Sequence, residues 1–168
     1  MRKLGTFTIV LALAIISMPA AMADSDSRPF AGSASGVVTF PMGTECQNYG
    51  GANVRTDSDA TGTASHLGRT VLDGAHCTPE MGVDTIAGEI TLIAANGDKV
   101  YLDYAGVNGP PDPVTLILIS EVDYVITGGT GRFAGASGSG DMTAYVRFDG
   151  IGDPEWPVTW VWKGTISY

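Results

Sequence analysis

Past residue 29 the chain has no 3.6-residue apolar period. Apolar and polar positions alternate instead, which is the signature of half-buried strands. The last run is the clearest: Trp156, Val158, Trp160, Trp162, Ile166 and Tyr168 share one face, with Thr159, Lys163, Thr165 and Ser167 on the other. Val100, Leu102 and Tyr104 alternate with Tyr101 and Asp103, and Met142, Ala144, Val146 and Phe148 alternate with Asp141, Thr143, Tyr145 and Arg147. In Thr85 to Ala95 the inward set is Ile86, Ile90 and Leu92. Val114 to Thr127 reads as one strand with Val114, Leu116, Leu118, Val122, Tyr124 and Ile126 inward, while Ile117 and Ile119 interrupt its polar face. Phe30 to Phe40 and Gly62 to Val71 supply two more strands.

Turn chemistry separates these runs. Asn96-Gly97 predicts a tight type I′ hairpin, whose two central residues both need positive φ. Gly106 to Pro113 and Asp149 to Pro157 read as longer loops, since proline cannot donate to a ladder. The count is seven or eight antiparallel strands. An all-β, antiparallel closed barrel of about eight strands is the expected architecture, because closure removes exposed edges; a two-sheet sandwich is the alternative.

The first 23 residues break the pattern. Arg2 and Lys3 precede an apolar run from Leu4 to Met18, followed by Pro19 and the small-residue site Ala21-Met22-Ala23. This is the layout of a secretory signal peptide cleaved after Ala23, and the run is too short for the roughly 20 residues that span a bilayer. The expectation is a signal peptide over 1–23, a single barrel domain over 24–168, and a secreted or periplasmic address with no membrane span after cleavage. Removing Arg2 and Lys3 leaves seven bases against 18 acids, a charge of −11. So acidic a domain is a poor match for nucleic acid, which needs clustered Lys and Arg. Export into an oxidising compartment predicts that the two cysteines, Cys46 and Cys77, form a disulfide. A zinc site from Cys46, Cys77, His66 and His76 lacks the usual short ligand spacing.

Candidate chemistry is sparse. ITGGTGRFAGASGSG (126–140) holds six glycines, yet it has neither the lysine of a P-loop nor the Ser spacing of a hydrolase elbow. Its structural reading is a turn: Gly128 and Gly129 end a strand, Thr130 caps a short helical turn over Arg132 to Ala134, Gly131 and Gly135 take turn conformations, and Phe133 plugs the barrel end. Asp57, Asp59 and Thr61, with Gly62 sixth, imitate the start of an EF-hand loop, but Gly68 stands where the bidentate acid belongs. They are the only calcium candidate beside the looser Asp149, Asp153 and Glu155; otherwise no metal or cofactor is expected. His66 is the sole candidate catalytic residue, as a general base beside Arg69, with no partner fixed by spacing. An outer-membrane barrel is a rival on the strength of the aromatic C-terminal strand alone.

The run GGTGRFAGASG (128–138) resembles the glycine-rich turn of allene oxide cyclases, dirigent proteins and exported bacterial proteins of the same barrel type. Ala64-Ser65-His66-Leu67-Gly68-Arg69 and Ala94-Ala95-Asn96-Gly97-Asp98 resemble recurring segments of those bacterial proteins. The resemblance spans residues 60–148 in pattern and implies the barrel. Plant members cyclise a fatty-acid epoxide or steer phenoxy-radical coupling inside it, and none of their catalytic residues falls in the matching turn. Three functions are therefore expected, in order: non-enzymatic binding of a small apolar or aromatic ligand in the barrel, a cyclase or isomerase that confines a reactive hydrophobic substrate, and a structural or surface-interaction domain with a packed core.

Overall fold

The computed structural model describes residues 26–41, 46, 53–79, 83–150 and 152–168. The signal peptide expected over 1–23 lies outside them. Eight strands make one closed antiparallel barrel in sequence order: β1 Arg28–Thr39, β2 Asn53–Ala64, β3 Gly68–Pro79, β4 Asp84–Ala94, β5 Lys99–Asn108, β6 Ile117–Gly129, β7 Ser137–Arg147 and β8 Glu155–Ser167. Closure is made by β1 and β8, in register from Arg28↔Ile166 to Thr39↔Glu155. The sandwich alternative is thereby excluded.

One end of the barrel, the turn end, carries the β2–β3, β4–β5 and β6–β7 connections. The other, the loop end, carries the connections from Phe40, Pro79, Asn108 and Phe148. The outer wall bears Asp73, Glu89, Asp103, Glu121, Asp123 and Asp141, all exposed, while most of the buried residues are apolar. A barrel in lipid has the reverse pattern, an apolar outer band around a polar interior. Among the described residues no helix is long and apolar enough to cross a membrane.

The lumen is filled by aromatic side chains laid over glycines on neighbouring strands. A Cβ on Gly32 would lie 2.3 Å from the Trp162 ring, and one on Gly140 or Gly164 would meet the Tyr124 hydroxyl at 2.7 or 2.6 Å. Phe30, Phe133, Leu72, Tyr124, Trp160 and Trp162 are shut away from solvent. Much of the glycine content thus makes room for rings, because a close-packed interior cannot hold both a ring and a Cβ in one place.

Local details depart from the sequence reading where turns and bulges intervene. Gly62 to Val71 is a hairpin joining β2 to β3 rather than one strand. In the Asn96-Gly97 turn only Gly97 has positive φ (88°). Ala94 N–H donates to Asp98 O and Gly97 N–H to Ala94 O, so the loop is a type I turn closed by a left-handed glycine, not type I′. Val114 and Leu116 are exposed and precede β6, because the Asp112 carboxylate accepts both the Val114 and Thr115 amides at 3.0 and 2.7 Å and holds them in a turn. In β4 a bulge at Ala87 (φ 49°) shifts the alternation, so Thr85 faces inward and Ile86 does not. The helical turn is Gly131–Phe133, one residue earlier than expected.

Candidate functional site

The interior is not uniform along the barrel axis. At the turn end Phe133 is fully buried against Tyr168, with ring centroids 4.8 Å apart. Gly131 and Gly135, at φ 58° and 78°, give the backbone the reversals that drop this ring into the lumen. Thr130 stands at the N-cap position, but its hydroxyl accepts the Lys99 amide at 3.0 Å instead of capping the turn. The glycine motif is thus an apolar stopper stitched to β5.

Of the seven buried polar residues in the described chain, six face the loop-end half: Thr56, Ser58, His76, Thr78, Thr85 and Ser120. The central pair is His76 on β3 and Tyr104 on β5, which do not sit on adjacent strands. They meet across β4, where His76 Nδ1 and the Tyr104 hydroxyl are 2.8 Å apart. The intervening residue at the bulge is Gly88, whose Cβ would lie 2.6 Å from the Tyr104 ring, so only glycine leaves the ring its path. Tyr104 in turn stands edge-on to Trp160, with centroids 5.9 Å apart. Above this floor Phe40 and Phe148 pack edge-on to Trp156, at 4.5 and 4.9 Å, all three half-buried.

Burial sets the electrostatics of the pair. It pulls His76 down to about 4 from the usual 6.5, with the Asp57 charge partly opposing, so the imidazole is neutral at pH 7. Burial, helped by Asp57, holds the Tyr104 phenol far above its ordinary range. Tyr124 is pushed up to about 12, first by burial and then by Asp141. The neutral imidazole carries one proton, and the Tyr104 hydroxyl, which has no other described partner, meets Nδ1 as donor or as acceptor according to which ring nitrogen holds it. Among the described residues five buried side-chain polar atoms have no protein partner: Ser58 Oγ, Tyr124 OH and the indole nitrogens of Trp156, Trp160 and Trp162.

His66, the residue singled out from the sequence, is elsewhere. It sits in the β2–β3 turn at φ 69°, outside any strand, with Nε2 against Pro29 O at 2.9 Å and its ring edge-on to Tyr168. Its backbone oxygen accepts a hydrogen bond from Arg132, so it ties two turns together. Cys46 and Cys77 form the disulfide, with Cα atoms 5.6 Å apart, and so anchor the β1–β2 connection to the strand that carries His76. Asp57, Asp59 and Thr61 lie along β2, where alternate side chains stand about 7 Å apart. Asp57 is engaged by Arg55 at 2.7 Å. Asp149 is bound by Arg147 at 2.7 and 3.0 Å. Among the described residues no three His, Cys, Asp or Glu side chains form a metal-ligating group. Of the tyrosines, Tyr104 and Tyr124 face inward while Tyr101 and Tyr145 are exposed.

The His76–Tyr104 pair was only half visible in the sequence. The run Thr70, Leu72, Gly74, His76 has the period that points His76 inward. Its partner lies 28 residues away across a bulge, which no local pattern encodes. Two hollows open on the outer wall. One of about 380 Å³ lies beside Glu89, Asp103 and Asp123, and one of about 710 Å³ beside Ser35, Thr63 and Arg69. Compared with known proteins, the chain matches no family model and no curated protein.

Proposed function

We propose that the protein is an exported β-barrel of the allene oxide cyclase/dirigent-like kind that binds, without catalysis, a small molecule with an apolar or aromatic body at the loop end of its lumen. The observation that carries this reading is the buried His76–Tyr104 pair beneath half-buried aromatic rings, with the Ser58 hydroxyl beside it unsatisfied. Buried polar groups are almost always paired, so an orphan in a polar, ring-lined end is the mark of a missing partner. The signal-peptide pattern and the Cys46–Cys77 disulfide support export. The glycine turn supports the family likeness.

A cyclase or isomerase would use the same pair to move a proton. Nδ1 of His76 is already engaged by the phenol, and the phenol is held protonated, so the geometry favours recognition over proton transfer. A packed structural domain is the second reading, favoured by the rings that fill the turn end and middle of the lumen. Native mass spectrometry of protein isolated from its own source separates the two. A bound species of a few hundred daltons, lost on denaturation, is expected; a bare chain that also ignores small aromatic probes would leave the packed domain standing.

A further inference from the structure

Resting on that reading, the orphaned atoms say what chemistry the ligand brings. An indole N–H can only donate, and Trp156 Nε1, buried at the loop end, has no acceptor. Ser58 Oγ, also buried and unpartnered, lies on the same inner row: Trp156 pairs with Val38 and Val38 with Ser58 in the β8–β1–β2 register. His76, engaged through Nδ1 by Tyr104, turns its other ring nitrogen, Nε2, to this end as a third polar group with no described protein partner. The set is therefore unbalanced towards donors. Leaving such groups unmet costs on the order of 1–3 kcal/mol each, and an oxygen acceptor removes that cost.

The ligand's charge is constrained from the opposite side. No Lys or Arg is among the buried described residues, and the cation nearest this end on β2, Arg55, is already paired with Asp57 at 2.7 Å. A carboxylate would lose its hydration there without gaining a cation, which is strongly unfavourable. We infer that the loop end is selective for a neutral molecule that carries a carbonyl-type oxygen on an aromatic or apolar body, held by Trp156, Ser58 and His76, and that it discriminates against both the hydrocarbon and the anion of the same shape.

Three probes of nearly equal size test this: acetophenone, ethylbenzene and benzoate, compared by equilibrium dialysis and by the 15N–1H signals of the indole groups. Acetophenone should bind about tenfold more tightly than either of the others, the span of one to two hydrogen bonds, and should alone move the Trp156 indole proton downfield. Ser58→Ala and Trp156→Phe should each reduce acetophenone affinity towards that of ethylbenzene, leaving ethylbenzene unchanged and the fold intact by circular dichroism. Equal affinities, or benzoate the tightest, would overturn the selectivity while keeping a binding site. No binding of any of the three would remove the binding reading itself.

Discussion

The two ends of the barrel are built from the same strands and have opposite characters. At the turn end three short connections bring Phe133, Leu67 and Tyr168 together, and the lumen closes on rings with no polar residue but Thr70, whose hydroxyl is spent locally on Gly68 O at 3.0 Å. At the loop end the inner wall carries Thr56, Ser58, His76, Thr85 and Ser120 under half-buried aromatics, with Ser58 Oγ and Trp156 Nε1 unmet, whereas the unmet atoms towards the turn end, Tyr124 OH and Trp162 Nε1, belong to the rings themselves. Apolar packing closes one end, and the other carries the buried polar groups on which the proposed binding rests.

The sharpest way to break this contrast is to remove the stopper. Phe133→Ala should cost about 3–5 kcal/mol in urea unfolding, the range for deleting a fully buried aromatic ring. A loss below about 1 kcal/mol would mean that the turn end is not the stabilising half. Acid should act at the other end. His76 titrates near 4 in the folded protein against 6.5 when unfolded. The unfolded chain therefore takes up a proton first, and stability is whole above pH 6.5 and lost as pH falls towards 4, by about 3 kcal/mol for this one group. Unfolding free energies measured from pH 7.5 to 4 should show that slope, and His76→Gln should flatten it.

Smaller effects sharpen the picture. Tyr104→Phe leaves His76 Nδ1 buried without its partner and should cost about 1–3 kcal/mol, with His76 followed by its NMR titration. Ser58→Ala should leave ligand-free protein at least as stable, with a gain of up to about 1–3 kcal/mol, since its buried hydroxyl has no bond to lose and its desolvation cost is removed. A clear destabilisation by Ser58→Ala would show that the hydroxyl is already satisfied.

Much of this was legible along the chain. Period-two alternation placed Val100, Leu102, Tyr104, Met142, Ala144, Trp160 and Trp162 on the inner face, where they are buried. The glycine run was readable as a stopper because Gly131 and Gly135 permit φ values that few other residues adopt. Failures came where one residue changes a register. The Ala87 bulge turned Thr85 inward, the Asp112 turn kept Val114 and Leu116 out of β6, and the short loop at residues 65–67 left His66 as a turn residue. These are competitions between a local hydrogen bond or bulge and the strand ladder, and alternation alone does not rank them.

The sequence by itself therefore determined the strand class, the inner faces, the disulfide partners and the plug, because each depends on side-chain periodicity or on a residue's own conformational limits. Tertiary structure alone decided that β1 closes on β8, that rings lie over glycines of other strands, and that His76 reaches Tyr104 across Gly88. Those are meetings of residues far apart in the chain, fixed by strand register and by the space a missing Cβ leaves. No stretch of sequence carries them on its own.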